Sequence, residues 1–94
     1  MNFIAEKNRI YAMDSNNELV AEITFPHVSS DINSDIVDIN HTFVDTSLRG
    51  QGVAGKLVEA AYYEIKRQGK KAVVSCAYAI KWFDEHEEYR DILQ

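Results

Sequence analysis

A glycine-rich segment lies between a run of apolar residues that ends at Val44 and a helical pattern that begins near Val53. Gly50 and Gly52 carry no side chain, so a phosphate group can approach the backbone closely there. The free amides of a first helical turn attract negative charge, and Arg49 can add a charge-assisted contact. The segment therefore predicts a diphosphate site. It has neither the Gly-Lys-Ser/Thr ending of a Walker loop nor the three-glycine dinucleotide pattern.

The elements before this segment have the period of strands. Apolar and polar residues alternate in short runs, and Asp14-Ser15-Asn16-Asn17 has the composition of a turn. A polar loop is expected over 27–34. The strand after this loop, over 36–44, should pair antiparallel with the strand before it, over 18–25. The strands are predicted over 3–6, 9–13, 18–25 and 36–44.

The period changes after Asp45. Apolar residues at spacings of three and four predict a helix over 51–68, which Gly69 would end. The apolar run 72–76 then reads as a strand parallel to the one before the helix. The aromatic and charged residues of 80–94 predict one or two short docking helices.

These elements form one domain over 1–94. We expect an α/β fold with a mixed α+β sheet, in which about four strands are mainly antiparallel. One βαβ crossover helix and a short helical C-terminus complete it.

The composition narrows the classes of partner. The chain has 94 residues with 15 acidic and 10 basic side chains and a net charge of -5, which disfavours nucleic acid and anionic membranes. One cysteine cannot form an internal disulfide, and the N-terminus has no signal-peptide pattern, so we expect a cytoplasmic protein. The three histidines and the cysteine lack the close spacing that metal ligands need, so no metal site is predicted.

Arg49-Gly50-Gln51-Gly52-Val53-Ala54 matches the Gln/Arg-x-x-Gly-x-Gly/Ala signature of the GNAT superfamily of N-acetyltransferases. The chain resembles most closely a group of small, single-domain GNAT-like proteins, which carry a cysteine after the second parallel strand. The further shared motifs are His41-Thr42, Cys76-Ala77-Tyr78 and His86-Glu87-Glu88-Tyr89.

The resemblance implies acetyl-CoA as the cofactor. Its pyrophosphate would contact the amides of 51–55, and its pantetheine would run along the backbone of Phe43 and Val44. An extended amide chain can pair with free strand-edge groups, which agrees with that placement. The predicted cofactor-binding residues are Phe43, Val44, Arg49, Gly50, Gln51, Gly52, Val53, Ala54 and Gly55.

Three side chains are candidates for the chemistry of acetyl transfer. His41 could act as a base or relay a proton through water, and Cys76 could accept the acetyl group as a nucleophile. By resemblance, Tyr78 would protonate the departing thiol. His41 could instead be a hydrogen-bonded structural residue, and Cys76 a small buried hydrophobe.

The predicted function is acetyl-CoA-dependent N-acetyl transfer to an amine by direct attack. One alternative is a coenzyme A or acyl-CoA binding module that senses its ligand without turnover, and another is transfer or hydrolysis through an acetyl-Cys76 intermediate. The acceptor would be a small molecule, a polyamine or a protein lysine or N-terminus. We expect a monomer or weak dimer.

Overall fold

A computed structural model of the chain describes residues 2–28 and 35–94. The predicted loop over 27–34 lies largely outside these residues. The strands are β1 (Ile4–Glu6), β2 (Arg9–Met13), β3 (Leu19–Thr24), β4 (Ile36–Ile39), β5 (His41–Val44) and β6 (Lys71–Val74). The helices are α1 (Val53–Arg67) and α2 (Ala77–Asp84), with 3-10 segments at Thr46–Leu48 and Glu87–Ile92.

Four strands form an antiparallel sheet in the order β1-β2-β3-β5. Strand residues alternate between its two faces, so Ile10 and Ala12 of β2 and Ile23 of β3 are buried on the inner face against helix α1. The outer face carries the intervening residues, such as Arg9 and Glu22, and it is half-buried or exposed. The predicted fold class, with four mainly antiparallel strands, is confirmed, and the parallel pairing lies in a separate two-stranded sheet of β4 and β6.

The predicted strand over 36–44 changes partner at Asn40. Its first half, β4, pairs parallel with β6, and its second half, β5, pairs antiparallel with β3. The backbone N–H of Asn40 donates to Thr24 O at 3.3 Å, while Ile39 O accepts from the N–H of Cys76 at 3.1 Å. The chain therefore leaves one sheet and enters the other at this residue, which separates β5 from the end of β6.

Helix α1 covers the sheet with the predicted apolar stripe. Its buried residues are Val53, Leu57, Val58, Ala61, Tyr62 and Ile65. The helix begins two residues later than expected from the apolar pattern, because Gly52 is its N-cap with a left-handed φ of 73°. Gly69 (φ 72°) follows its end as predicted. Together β4, α1 and β6 form the expected βαβ unit.

The C-terminal region docks beside α1. Ala79, Trp82 and Phe83 of α2 and Ile92 of the second 3-10 segment are buried in the core. The N–H of Gln94 donates to Ala72 O at 3.0 Å, which ties the end of the chain to β6. Within 2–28 and 35–94, no helix has the length and apolar character needed to cross a membrane.

Candidate active site

A cleft of about 380 Å³ opens where β5 ends and α1 begins. Strand β5, the glycine-rich turn and helix α2 each contribute to its wall. Through Thr42, the cleft adjoins the gap between β5 and the end of β6. The lining residues are Thr42, Val44, Leu48, Arg49, Gly50, Gly52, Val53, Ala54 and Tyr78.

The turn before α1 is shaped by a cap and by two left-handed glycines. The Asp45 carboxylate accepts from Ser47 Oγ at 2.6 Å and from Ser47 N at 3.0 Å, and these hydrogen bonds lower the pKa of Asp45. Gly50 and Gly52 then adopt φ values of 84° and 73°, which other residues rarely adopt.

Helix α1 starts without a side-chain cap. Its N-cap is Gly52, and the first helical bond runs from Lys56 N to Gly52 O at 3.2 Å. The amides of Val53, Ala54 and Gly55 therefore precede the first donor of the helical ladder. Such amides, at the positive end of the helix dipole, are suited to an anionic group.

Gly55 has a packing role that the sequence did not reveal. A Cβ at this position would lie 3.2 Å from Trp82 Nε1 and 3.5 Å from the Tyr78 hydroxyl. The glycine thus permits α2 to approach α1 closely. Gly55 does not line the cleft.

Cys76 is the N-cap of α2 and contacts Thr42 of the cleft wall, although it does not itself line the cleft. Its Sγ is 3.5 Å from Thr42 Oγ1, so the thiol and the hydroxyl meet across the gap between β6 and β5. Burial raises the pKa of Cys76, but hydrogen bonds from Thr42 Oγ1 and from the N–H groups of Ala79, Tyr78 and Thr42 outweigh it. The net effect is a lowered pKa, which favours the reactive thiolate.

Tyr78, the second residue of α2, lines the same cleft. Burial, followed by the nearby charge of Glu85, raises the pKa of its hydroxyl. Tyr78 therefore holds its proton at neutral pH and can act as a donor. The structure brings Tyr78 together with Thr42 and with the turn.

His41 faces the other side of the sheet. Successive residues of a strand point to opposite faces, and Thr42 and Val44 line the cleft. The His41 side chain lies on the outer face, where its Nε2 is 3.8 Å from Glu22 Oε1. Phe43 shares that face and is 37% exposed. The structure does not bring the His41 imidazole together with Cys76 and Tyr78.

The predicted cofactor residues divide into two groups. The residues that line the cleft are Val44, Arg49, Gly50, Gly52, Val53 and Ala54. Phe43, Gln51 and Gly55 do not line it. For Phe43, Gln51 and Gly55 the predicted contacts are backbone groups, and they stay a prediction.

The predicted site residues did not include Thr42 and Leu48, which line the cleft. Alternation in β5 could have placed Thr42 on the face of Val44. Leu48 is an apolar residue in a polar turn, and it packs against the core. In the described part of the chain, no group of three His, Cys, Asp or Glu side chains could hold a metal ion.

The chain is similar to proteins of known family and structure. A family model described as GCN5-related N-acetyl-transferase matches residues 9–92. The solution structure of a GCN5-like N-acetyltransferase from Staphylococcus aureus is similar, with 29% identity and a TM-score of 0.76, over 99% of this chain and 87% of that chain. A comparison with curated proteins finds no match.

Larger enzymes share the fold at lower identity. A ribosomal-protein-alanine N-acetyltransferase from Brucella melitensis has 17% identity and a TM-score of 0.63, over 83% of this chain. The ribosomal-protein-S18-alanine N-acetyltransferase from Escherichia coli has 18% identity and a TM-score of 0.62, over 87% of this chain. The present chain spans 59% and 53% of their lengths, respectively.

Proposed function

The chain belongs to the family of GCN5-related N-acetyltransferases, and from that premise we propose that it transfers an acetyl group from acetyl-CoA to an amine. The family is one of acyltransferases, and the cleft supplies the specific support. The observation that carries the proposal is the uncapped start of α1 beside Gly50 and Gly52, which opens into a cleft that reaches Thr42.

The cofactor would occupy the cleft from the turn inward. The amides of Val53, Ala54 and Gly55 suit the pyrophosphate, and the exposed Arg49 adds a positive charge at the rim. The pantetheine chain would run along the backbone of Phe43 and Val44. The thioester would then lie near the contact between Thr42 and Cys76.

Direct attack needs four events at that point. The amine nitrogen forms a bond to the thioester carbonyl carbon, and the carbon–sulfur bond of the thioester breaks. Tyr78 gives its proton to the departing coenzyme A thiolate, which its raised pKa supports. The acceptor nitrogen gives up its proton to water, because the side chain of His41, the predicted base, lies on the outer face and does not line the cleft.

A second route is favoured by the lowered pKa of Cys76 beside the cleft. The Cys76 thiolate would attack the thioester carbonyl carbon, and coenzyme A would leave with the Tyr78 proton. An amine or water would then attack acetyl-Cys76 and release the thiol. The overall transfer is the same, but Cys76 becomes essential.

A thiol-release assay tests the proposal and separates the routes. Purified protein is incubated with acetyl-CoA and, in separate reactions, an alkylamine, a polyamine and a lysine peptide, and free coenzyme A is measured over time. Direct attack predicts that Cys76→Ala retains activity within a few-fold, whereas the covalent route predicts its loss and an acetyl group on Cys76 after rapid quench. Binding without turnover for every amine would instead favour a coenzyme A sensing module.

A further inference from the structure

Three charged or titratable side chains form a cluster on the outer face of the antiparallel sheet. Arg9 of β2, Glu22 of β3 and His41 of β5 lie on neighbouring strands. Glu22 is the central member, with a side chain that is 17% exposed, and His41 is 53% exposed. The cluster lies outside the cleft.

Arg9 holds the Glu22 carboxylate from one side. Its Nε donates to Glu22 Oε2 at 2.5 Å, and its guanidinium also lies 3.5 Å from Glu6 Oε1. The same group stacks 4.0 Å over the centre of the Tyr11 ring. These three contacts keep Arg9 on the Oε2 side and leave Oε1 directed to His41.

Glu22 Oε1 and His41 Nε2 are 3.8 Å apart, which is too far for a hydrogen bond between them. The carboxylate oxygen accepts hydrogen bonds, and so does Nε2 in the neutral tautomer that carries its proton on Nδ1. A single nitrogen about 2.9 Å from each atom fits this separation, provided that it carries two protons to donate. A primary ammonium group has that number of donors and the charge that complements Glu22.

We propose that Glu22 Oε1 and His41 Nε2 together bind a primary ammonium group on the outer face of the sheet, and that this group belongs to the acceptor. The inference deepens the proposed function and rests on it for the identity of the ligand as acceptor. Phe43 lies directly opposite Glu22 in the strand register and offers an exposed ring to the alkyl part.

The site also connects the acceptor to the cleft. His41 and Thr42 are adjacent in β5, which is the edge strand of its sheet, and Thr42 lines the cleft and contacts Cys76. An acceptor anchored at His41 would lie on the face opposite to α1 and would reach the cleft around this edge. Acetyl-CoA and the acceptor would occupy different faces and would not compete for space.

An amide and imidazole chemical-shift titration at pH 8 tests the site. The probes are n-butylammonium and n-butyltrimethylammonium, which have the same charge but differ in N–H donors. Saturable shifts of Glu22, His41 and Phe43 with n-butylammonium are expected at millimolar concentrations. The quaternary probe should bind about tenfold more weakly, since it cannot form the two hydrogen bonds.

Variants make the assignment specific. Glu22→Gln should weaken n-butylammonium binding by about tenfold, and His41→Ala by several-fold. Glu6→Gln is the matched control, because Glu6 also contacts Arg9 but lies on the edge strand β1. It should change binding by less than about twofold, as expected of an exposed charge outside the site.

The proposal is overturned if both probes bind equally, if Glu6→Gln weakens binding as much as Glu22→Gln, or if no outer-face resonance moves. Binding of acetyl-CoA is measured separately in the same samples. A failure of the proposed function would appear there, as an empty cleft, while the n-butylammonium result would still decide the ammonium site.

Discussion

The hydroxyl of Thr42 and the thiol of Cys76 meet at 3.5 Å across the gap between two strands that have parted. Thr42 comes from the antiparallel sheet and Cys76 from the end of the parallel pair. The contact is possible because the chain changes sheets at Asn40. It places a thiol of lowered pKa beside Thr42, a residue that lines the cleft.

Replacing Thr42 by valine should raise the pKa of Cys76. The variant removes a hydrogen bond to sulfur worth about 1 kcal/mol, so below the pKa the thiolate fraction should fall by roughly fivefold. The rate of alkylation by iodoacetamide as a function of pH measures this change. Thr24→Val is the control, because Thr24 donates to Asn40 Oδ1 at 2.6 Å and does not contact Cys76. An unchanged profile in Thr42→Val would show that other groups set the thiol pKa.

Gly52→Ala and Gly69→Ala form a matched pair. Both glycines have left-handed φ values, 73° and 72°, and an added Cβ would meet no atom within 4 Å at either position. Each variant should lower the free energy of unfolding by about 1 kcal/mol, because alanine is strained there. Only Gly52→Ala should weaken acetyl-CoA binding, by roughly tenfold.

Denaturant unfolding and calorimetric titration measure the two effects of the glycine variants. Equal losses of affinity in the pair would mean that stability, rather than contact with the ligand, controls binding. The prediction would then be wrong.

Tyr78→Phe should lower kcat by about 100-fold and leave the affinity for acetyl-CoA unchanged within twofold, because the hydroxyl acts only when the thiolate departs. The pKa of Tyr78 is raised above its ordinary value of 10.0, so the group stays protonated from pH 6 to 9. The ratio of wild-type to variant rates should therefore be constant over that range.

The control for Tyr78 is Tyr63→Phe, since Tyr63 is exposed on α1 and does not line the cleft. A ratio that falls steeply as the pH rises from 6 to 9 would indicate that Tyr78 loses its proton, contrary to this account.

Asp91→Asn tests a polar link between the C-terminal region and α1. Tyr62 donates to Asp91 Oδ1 at 2.7 Å, and Lys66 donates to Oδ2 at 2.9 Å. The Lys66 hydrogen bond, followed by that of Tyr62, lowers the pKa of Asp91 below its ordinary value of 3.8. The resulting stabilisation is present above that value and is lost as the pH falls through the lowered pKa.

At pH 7 the Asp91 variant should lose no more than about 1 kcal/mol, because the pair is partly exposed. The difference from wild type should shrink between pH 4 and pH 3 in urea unfolding. Glu88→Gln, on the same 3-10 segment, is the control for the removal of a carboxylate. A difference that grows on acidification would contradict the assignment.

The sequence predicted elements whose signals are local. The apolar stripe of α1 and the stop at Gly69 follow from spacing and backbone conformation within the helix itself. The partner change at Asn40 could not be predicted, because strand periodicity is the same in both sheets and pairing depends on distant residues. A single continuous strand was therefore expected where two are found.

The candidate site could also be predicted only in part from the sequence. The glycine-rich turn was found because its residues are contiguous; Tyr78 lines the cleft beside it, and Cys76 contacts Thr42 of the cleft wall. Alternation places His41 and Thr42 on opposite faces, but only the packing of α1 decides which face contains the cleft. The role of Gly55 depends on Trp82, which is distant in sequence.

The most direct test of the central claim is an amide chemical-shift titration of the protein with acetyl-CoA. Saturable shifts should centre on the turn from Arg49 to Gly55 and extend to Thr42 and Cys76, with smaller changes on the outer face at Glu22. An absence of shifts at millimolar acetyl-CoA, or shifts centred on the outer face, would contradict the assignment of the cleft.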